Sequence, residues 1–268
     1  MKKLLFLFAL FLFGSSCFAA EPIEINFNDG IYHIILHGEK IKKKIRFTSN
    51  ESLITNKEMH NATGAVLTIN AGYFDPENQK TISYVTTDYV TSEDPYFNEN
   101  LLKNPVLRKN LTKILNRTEF RILECSEGKT KFSYEIVPHN SPSSFGCSVR
   151  TAAQGGPLIL PELRLEEEFF VVKKDGQVIR ESASVLQKTA RTIIGLKNGE
   201  VHILIITDEH PMDLYEVQKF CRELGLERAM AFDGGSSTSM NYKDEIEVIS
   251  TKGDGAGRSV KSFMQVFN

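Results

Sequence analysis

The stretch RTIIGLKNGEVHILIITDEHPMDLYEVQKFCRELGLERAMAFDGGSSTS, residues 191–239, decides how the chain folds. Its apolar runs Thr192 to Leu196 and Val201 to Ile206 are joined by Lys197-Asn198-Gly199-Glu200. Asn-Gly favours a two-residue type I′ turn, because both positions require positive φ, so the runs read as antiparallel strands. Leu214, Val217, Phe220, Cys221 and Leu224 follow at helical spacing up to Gly225, which predicts an amphipathic helix stopped by glycine. Ala229 to Phe232 is a buried strand that runs directly into Asp233-Gly234-Gly235-Ser236-Ser237-Thr238-Ser239.

Outward from there, Ser262 to Phe267 supplies a last strand and Ala65 to Ile69 a short buried one ending in Asn70-Ala71-Gly72. Residues 23–48 alternate apolar and polar about Asn28-Asp29-Gly30, the pattern of a β-hairpin. Asn104-Pro105 offers an N-cap with proline at the first helical position. Val106, Leu107, Leu111, Ile114 and Leu115 continue it at helical spacing. Phe120 to Leu123 and Phe132 to Ile136 return to strand patterning. With no internal repeat and no linker, the expected architecture is α+β: one domain over residues 20–268, built on a large mixed, mainly antiparallel sheet flanked by helices.

The first residues stand outside that domain. Lys2 and Lys3, the apolar run Leu4 to Phe13, and the small residues Gly14, Ser15 and Ser16 follow the order of a secretory signal peptide, with cleavage expected after Ala19 or Ala20. The run is too short to span a bilayer, which takes about 20 residues. The expected location is therefore periplasmic or secreted, with no stable membrane span. Lipidation at Cys17 is the alternative, but the residue three before it is Gly14 rather than a leucine. In an oxidising compartment Cys125 and Cys147, which bracket a hairpin-like segment, are candidates for a disulfide. Cys221 reads as a buried free thiol on the apolar helix face.

Composition narrows function by exclusion. The 268 residues are 41% hydrophobic and 25% charged, an ordinary globular balance. With 32 basic against 34 acidic residues, no global positive field would recruit nucleic acid. Walker loops, nucleophile elbows and zinc-helix motifs are absent, no CxxC occurs, and the histidines form no ligand-spaced pair, so neither a metal nor another cofactor is expected. The runs Glu166 to Glu168 and Lys42 to Lys44 read as solvated faces.

Candidate chemistry gathers at the glycine-serine loop. Amides around Gly234, Gly235, Ser236 and Ser237 could form an anion-binding nest, although Asp-Gly also makes ordinary turns. Arg191 and Arg258 carry guanidinium groups suited to a two-point grip on phosphate. Asn70 and Gly72 at a strand end could present an amide and bare backbone to a ligand, or simply turn the chain.

In order, Asn70-Ala71-Gly72-Tyr73-Phe74, Gln154-Gly155-Gly156-Pro157-Leu158, Arg191-Thr192-Ile193-Ile194-Gly195, Phe232-Asp233-Gly234-Gly235-Ser236-Ser237 and Arg258 resemble the phosphodiester glycosidase family, in its bacterial branch. The animal members carry a glycine where this chain has Ser236 and an asparagine where it has Ala231. The resemblance implies an exported hydrolase that breaks the bond between an anomeric carbon and phosphate. Its partner would be a glycosyl-phosphodiester small molecule or an envelope glycan. Asp233 would then be the acid/base or stabilising carboxylate, with Arg191, Arg258 and the loop amides meeting the leaving phosphate. Thr192 and Ser237 would orient phosphate oxygens, and Asn70, Gly72 and Gly156 would line the substrate. Asp208 is a candidate second carboxylate, unless it caps the following helix. A non-catalytic periplasmic module that binds an anionic glycan is the competing expectation.

Overall fold

The computed structural model describes residues 21–126, 131–252 and 255–268. The expected signal peptide and Cys17 lie outside these residues. Among the described residues the fold is predominantly β, and every strand pairing is antiparallel. The expected large mixed sheet is thus corrected: the strands divide among three sheets and a two-stranded ribbon.

The six-stranded sheet has the order β1 (Ile23–Asn28), β2 (Ile31–Leu36), β14 (Glu200–Ile206), β13 (Arg191–Lys197), β15 (Arg228–Ala231) and β10 (Leu158–Leu160). Two of its turns follow from sequence: Asp29-Gly30 and Asn198-Gly199 all have positive φ, as type I′ hairpins require. The run β13–β14 is buried at nearly every position because both faces of this sheet are covered. Ile194, Leu196, Ile203 and Ile205 face one buried cluster, while Ile193, Leu204 and Ile206 face another. The second is sealed by α6 (Leu214–Glu223), whose Leu214, Val217 and Cys221 are buried. Asp213 caps α6 by accepting from the amides of Tyr215 and Glu216, and Glu216 reaches back to the Asp213 amide, closing a capping box. Asp208 does not cap this helix.

One five-stranded sheet runs β17 (Ile246–Ile249), β16 (Ser239–Tyr242), β4 (Leu67–Asn70), β18 (Val260–Val266) and β3 (Ile45–Ile54). The other runs β6 (Val90–Glu93), β5 (Val85–Thr87), β9 (Cys147–Gln154), β7 (Thr118–Cys125) and β8 (Phe132–Pro138). Phe47, Ile69, Phe120, Ile122, Ile203, Met230 and Phe232 share one core cluster, which therefore draws on all three sheets. Cys125 and Cys147 sit directly opposite each other on β7 and β9 and are joined by a disulfide, while Cys221 is a buried free thiol.

The remaining elements are short. The ribbon pairs β11 (Val171–Lys174) with β12 (Gln177–Glu181). Helices α1 (Glu39–Lys42) and α2 (Asn56–Thr63) flank β3. The segment expected as one helix from Pro105 is instead broken into α4 (Pro105–Arg108) and α5 (Leu111–Leu115), preceded by α3 (Glu99–Lys103). Asn104 caps α4 as read, accepting from the amides of Val106 and Leu107. Among the described residues no helix is long and apolar enough to cross a membrane.

Candidate active site

The chain leaves β15 of the six-stranded sheet, passes Phe232 and Asp233, and enters β16 of a five-stranded sheet. Asp233 therefore lies where one sheet hands the chain to another. Asn70, at the end of β4, fastens that crossing. Its Nδ2 donates to the Asp233 carbonyl at 2.7 Å. Its Oδ1 accepts from the Thr192 hydroxyl at 2.7 Å and the Ser239 amide at 3.1 Å. Both residues are fully buried, and the hydrogen bonds of Asn70 and Thr192 hold the loop in place.

The loop amides are largely spent as well. Asp233 N–H donates to Ala71 O, Gly235 N–H to Ala190 O, Ser237 N–H to Gly234 O and Thr238 N–H to Gly235 O. The Gly234 amide opposes the effect of burial on the Asp233 carboxyl. Of the four amides from Gly234 to Ser237, those of Gly235 and Ser237 are engaged by backbone carbonyls. Gly235 keeps a glycine-favouring φ of 60° for the 3-10 turn Gly235–Ser237. Gly72 and Gly156 sit where packing leaves no room for a side chain. A Cβ at Gly72 would come within 2.6 Å of Ser83 Cβ, and one at Gly156 would overlap Glu168 Oε2.

The two arginines expected at the site part company. Arg191 is 3% exposed, and it donates to three backbone carbonyls: Nε to Met212 at 2.9 Å, Nη2 to Ser184 at 2.8 Å and to Gln187 at 2.6 Å. It clamps a loop in which Ala183 and Ser184 both have positive φ, an unfavourable conformation for residues with a Cβ. Arg258, by contrast, reaches the site: Nη1 donates to Ser236 Oγ at 2.7 Å and the guanidinium lies 5.2 Å from the Phe74 ring centre. Asp208 is elsewhere. Its Oδ2 accepts from Ser250 Oγ, Thr251 N and Thr251 Oγ1, tying two surface turns together, so it is not a second carboxylate at Asp233.

A recess of about 360 Å³ opens over Asp233 and Arg258. Two further arginines line it, Arg117 and Arg180, neither singled out by sequence. Arg117 donates Nε to Glu168 O at 2.9 Å and stacks 3.8 Å over Phe170, and burial pushes its pKa down to about 10. Arg180 donates Nη1 to Phe169 O at 3.0 Å. Among the described residues Asp233 is the one carboxylate that lines the recess. Burial raises its pKa from 3.8 to about 6, against the opposing pull of the Ser237 hydroxyl, Arg258, the Gly234 amide and Arg191. The buried Ser237 hydroxyl faces the carboxyl without closing a hydrogen bond of ordinary geometry.

Residues 63–267 match the family described as phosphodiester glycosidase. The chain belongs to this family. Solved structures agree on the fold. The catalytic domain of zebrafish N-acetylglucosamine-1-phosphodiester alpha-N-acetylglucosaminidase, auto-inhibited by its pro-peptide, superposes with a TM-score of 0.62 at 14% identity, over 92% of this chain and 81% of that one. A hypothetical protein from Synechocystis gives 0.59 at 14% identity, over 91% of this chain, which spans only 61% of that protein's length. No curated protein matches the chain.

For a member of the phosphodiester glycosidase family, a further buried carboxylate close to the recess is informative. Glu168, expected on a solvated face, is 4% exposed and accepts from Thr118 N, Thr118 Oγ1 and Leu158 N. Burial raises its pKa. With three donors already engaged it braces the wall beneath Gly156, and it is not among the residues that line the recess. Lys42, also expected on a solvated face, is buried and donates to Glu39.

Proposed function

We propose that this chain is an exported hydrolase that cleaves a glycosyl phosphodiester between the anomeric carbon and the phosphate. The observation that carries this reading is the recess itself: among the described residues one carboxyl, with a pKa near 6, shares the lining with three guanidinium groups. A substrate held there would be anionic, and the family supplies the reaction class. The enzyme named in zebrafish acts on a sugar-1-phosphodiester, which is the kind of substrate we extend to this chain.

The charge inventory favours this reaction over ordinary glycoside hydrolysis. Common glycosidases place two carboxyl groups about the bond, one of them to protonate an alcohol leaving group. A phosphate monoester has a second pKa of about 6 and leaves as an anion without that proton. What it requires is neutralisation, because the bound phosphodiester bears one negative charge and the departing monoester approaches two. Arg258, Arg117 and Arg180 would meet that growing charge, and their attraction increases towards the transition state, where it accelerates the step. The C1–O bond breaks with its electron pair on the phosphate oxygen, water oxygen bonds to C1, and the water proton passes to the Asp233 carboxylate. Thr192 and Asn70 hold the backbone of Asp233, and Arg191 holds the loop that carries the recess wall at Ala183.

The test is an assay of the purified protein on a panel of sugar-1-phosphodiesters, with mass detection of free sugar and phosphomonoester. Stoichiometric release of both supports the reading. Tight binding of an anionic sugar without release would identify the competing, non-catalytic module instead.

A further inference from the structure

The recess is not polar throughout. Besides its arginines, Leu101, Leu107 and Ile114 of α3, α4 and α5, together with Ile82, give the lining an aliphatic wall. Leu101 and Ile114 are buried in a small cluster of their own, and Leu107 packs against it while still facing the recess. A sugar ring laid on that wall would bury hydroxyl groups where no side chain can answer them, at a cost for each unpaired group. Aromatic faces suit sugar rings better, and Tyr73, Phe74 and Phe170 supply these elsewhere in the lining. The wall is aliphatic, and it is built by a segment that also leaves Phe97 and Val106 exposed.

We infer that the cleft takes a phosphodiester whose second ester arm is an apolar alkyl alcohol, with that arm lying along Leu101, Leu107 and Ile114. The inference rests on the phosphodiester reading above and names the part of the substrate that reading leaves open. The phosphate sits between the two halves of the site: sugar and anomeric carbon toward Asp233, guanidinium groups on the phosphate oxygens, alkyl arm toward the short helices. Each methylene transferred from water to such a wall tightens binding about fourfold. Three to four buried methylenes therefore give on the order of a 100-fold gain before the wall is used up.

Alkyl phosphates, the products of the proposed cleavage, test the arm without requiring turnover. Calorimetric Kd values for methyl, butyl and hexyl phosphate are expected to fall on the order of 100-fold across the series, and Leu107→Asn should remove about tenfold of that hexyl-over-methyl advantage. Equal affinity for methyl and hexyl phosphate overturns the inference. So does a hexyl advantage that survives both Leu107→Asn and Ile114→Ser in folded protein, since the arm would then lie elsewhere. In parallel, octyl and methyl esters of one sugar-1-phosphate are compared as substrates, where a higher kcat/KM for octyl supports the inference. A graded Kd series without turnover of any ester refutes the hydrolase reading while leaving the apolar arm site standing. Turnover that ignores arm length does the reverse.

Discussion

Replacing Asp233 by Asn should pull activity and stability in opposite directions. The folded protein holds the Asp233 proton up to about pH 6, whereas an ordinary aspartate releases it near 3.8. Between those values the unfolded chain gives up the proton first, so rising pH favours unfolding, and above about pH 6 the full penalty is in place. A displacement from 3.8 to about 6 corresponds to about 3 kcal/mol. Asparagine resembles the protonated carboxyl and escapes that penalty, so the variant should gain up to about 3 kcal/mol at pH 8 and nothing below pH 4. For a domain of this size that is a Tm rise of about 6–12 °C at pH 8. Turnover, in contrast, should fall about 100-fold or more, the scale of a lost general base. In the wild type, kcat should climb through about pH 6 as the carboxyl ionises. The measurements are thermal unfolding at pH 4 and pH 8 and phosphomonoester release across pH 5–8. An Asn variant that turns over normally removes Asp233 from the chemistry. A variant no more stable at pH 8 than at pH 4, relative to wild type, shows that the guanidinium groups fully offset burial and that the group is not held near 6.

The two sequence-predicted arginines should separate by assay. Arg191→Lys keeps the charge but cannot reach three carbonyls, and should cost about 3 kcal/mol in urea unfolding. Arg258→Lys should leave unfolding nearly unchanged and lower kcat about 10-fold or more with a smaller change in KM, since its hydrogen bond is to Ser236 alone; equal stability loss in both variants would refute the division. Cys147→Ser opens a link between residues 22 apart and should cost about 3 kcal/mol under non-reducing conditions, which denaturant titration of the two forms measures. Activity should persist after thorough chelation, and a loss restored only by a divalent cation would make Asp233 a ligand. Intact-mass analysis of exported protein should find an N-terminus at Ala20 or Glu21, and a chain still carrying Met1 would sink the export proposal.

The sequence was most legible where one segment explains itself. Asn198-Gly199, the α6 periodicity and the stop at Gly225 each specify local geometry through their own backbone preferences. Asp233 emerges because the apolar run Ala229 to Phe232 leads straight into it. The partition into three sheets was not legible, because the strands that pair lie far apart and several carry weak signals. The buried half of β9 reads Arg-Thr-Ala-Ala-Gln, whose small and polar residues fit among neighbours without an apolar run. Arg117 and Arg180 were missed for a related reason. Arg117 sits between a short helix and a strand, and Arg180 sits on a ribbon whose alternation resembles any solvated hairpin. Nothing local marks either one as facing Asp233. Glu168 closes an acidic run, and only its third member turns inward, to accept from Thr118 and Leu158.

The motif residues and the residues that face the recess are therefore largely different sets, and the physical reason bears on mechanism. Asn70 and Thr192 end in hydrogen bonds that hold the loop, and Arg191 spends Nε and Nη2 on backbone carbonyls while its Nη1 lies beside Gly234. A carboxyl whose pKa has been raised by burial is useful only while its surroundings stay fixed, because a small outward shift would hydrate it and return it toward 3.8. Asn70 supplies that fixity by tying Asp233 O, Thr192 and Ser239 to a single amide. Removing it with Asn70→Ala should lower the pH at which kcat rises as well as kcat itself, whereas loss of a direct substrate contact would raise KM and leave the pH midpoint in place. The midpoint of the rate profile thus separates a residue that holds the catalytic group from one that holds the substrate.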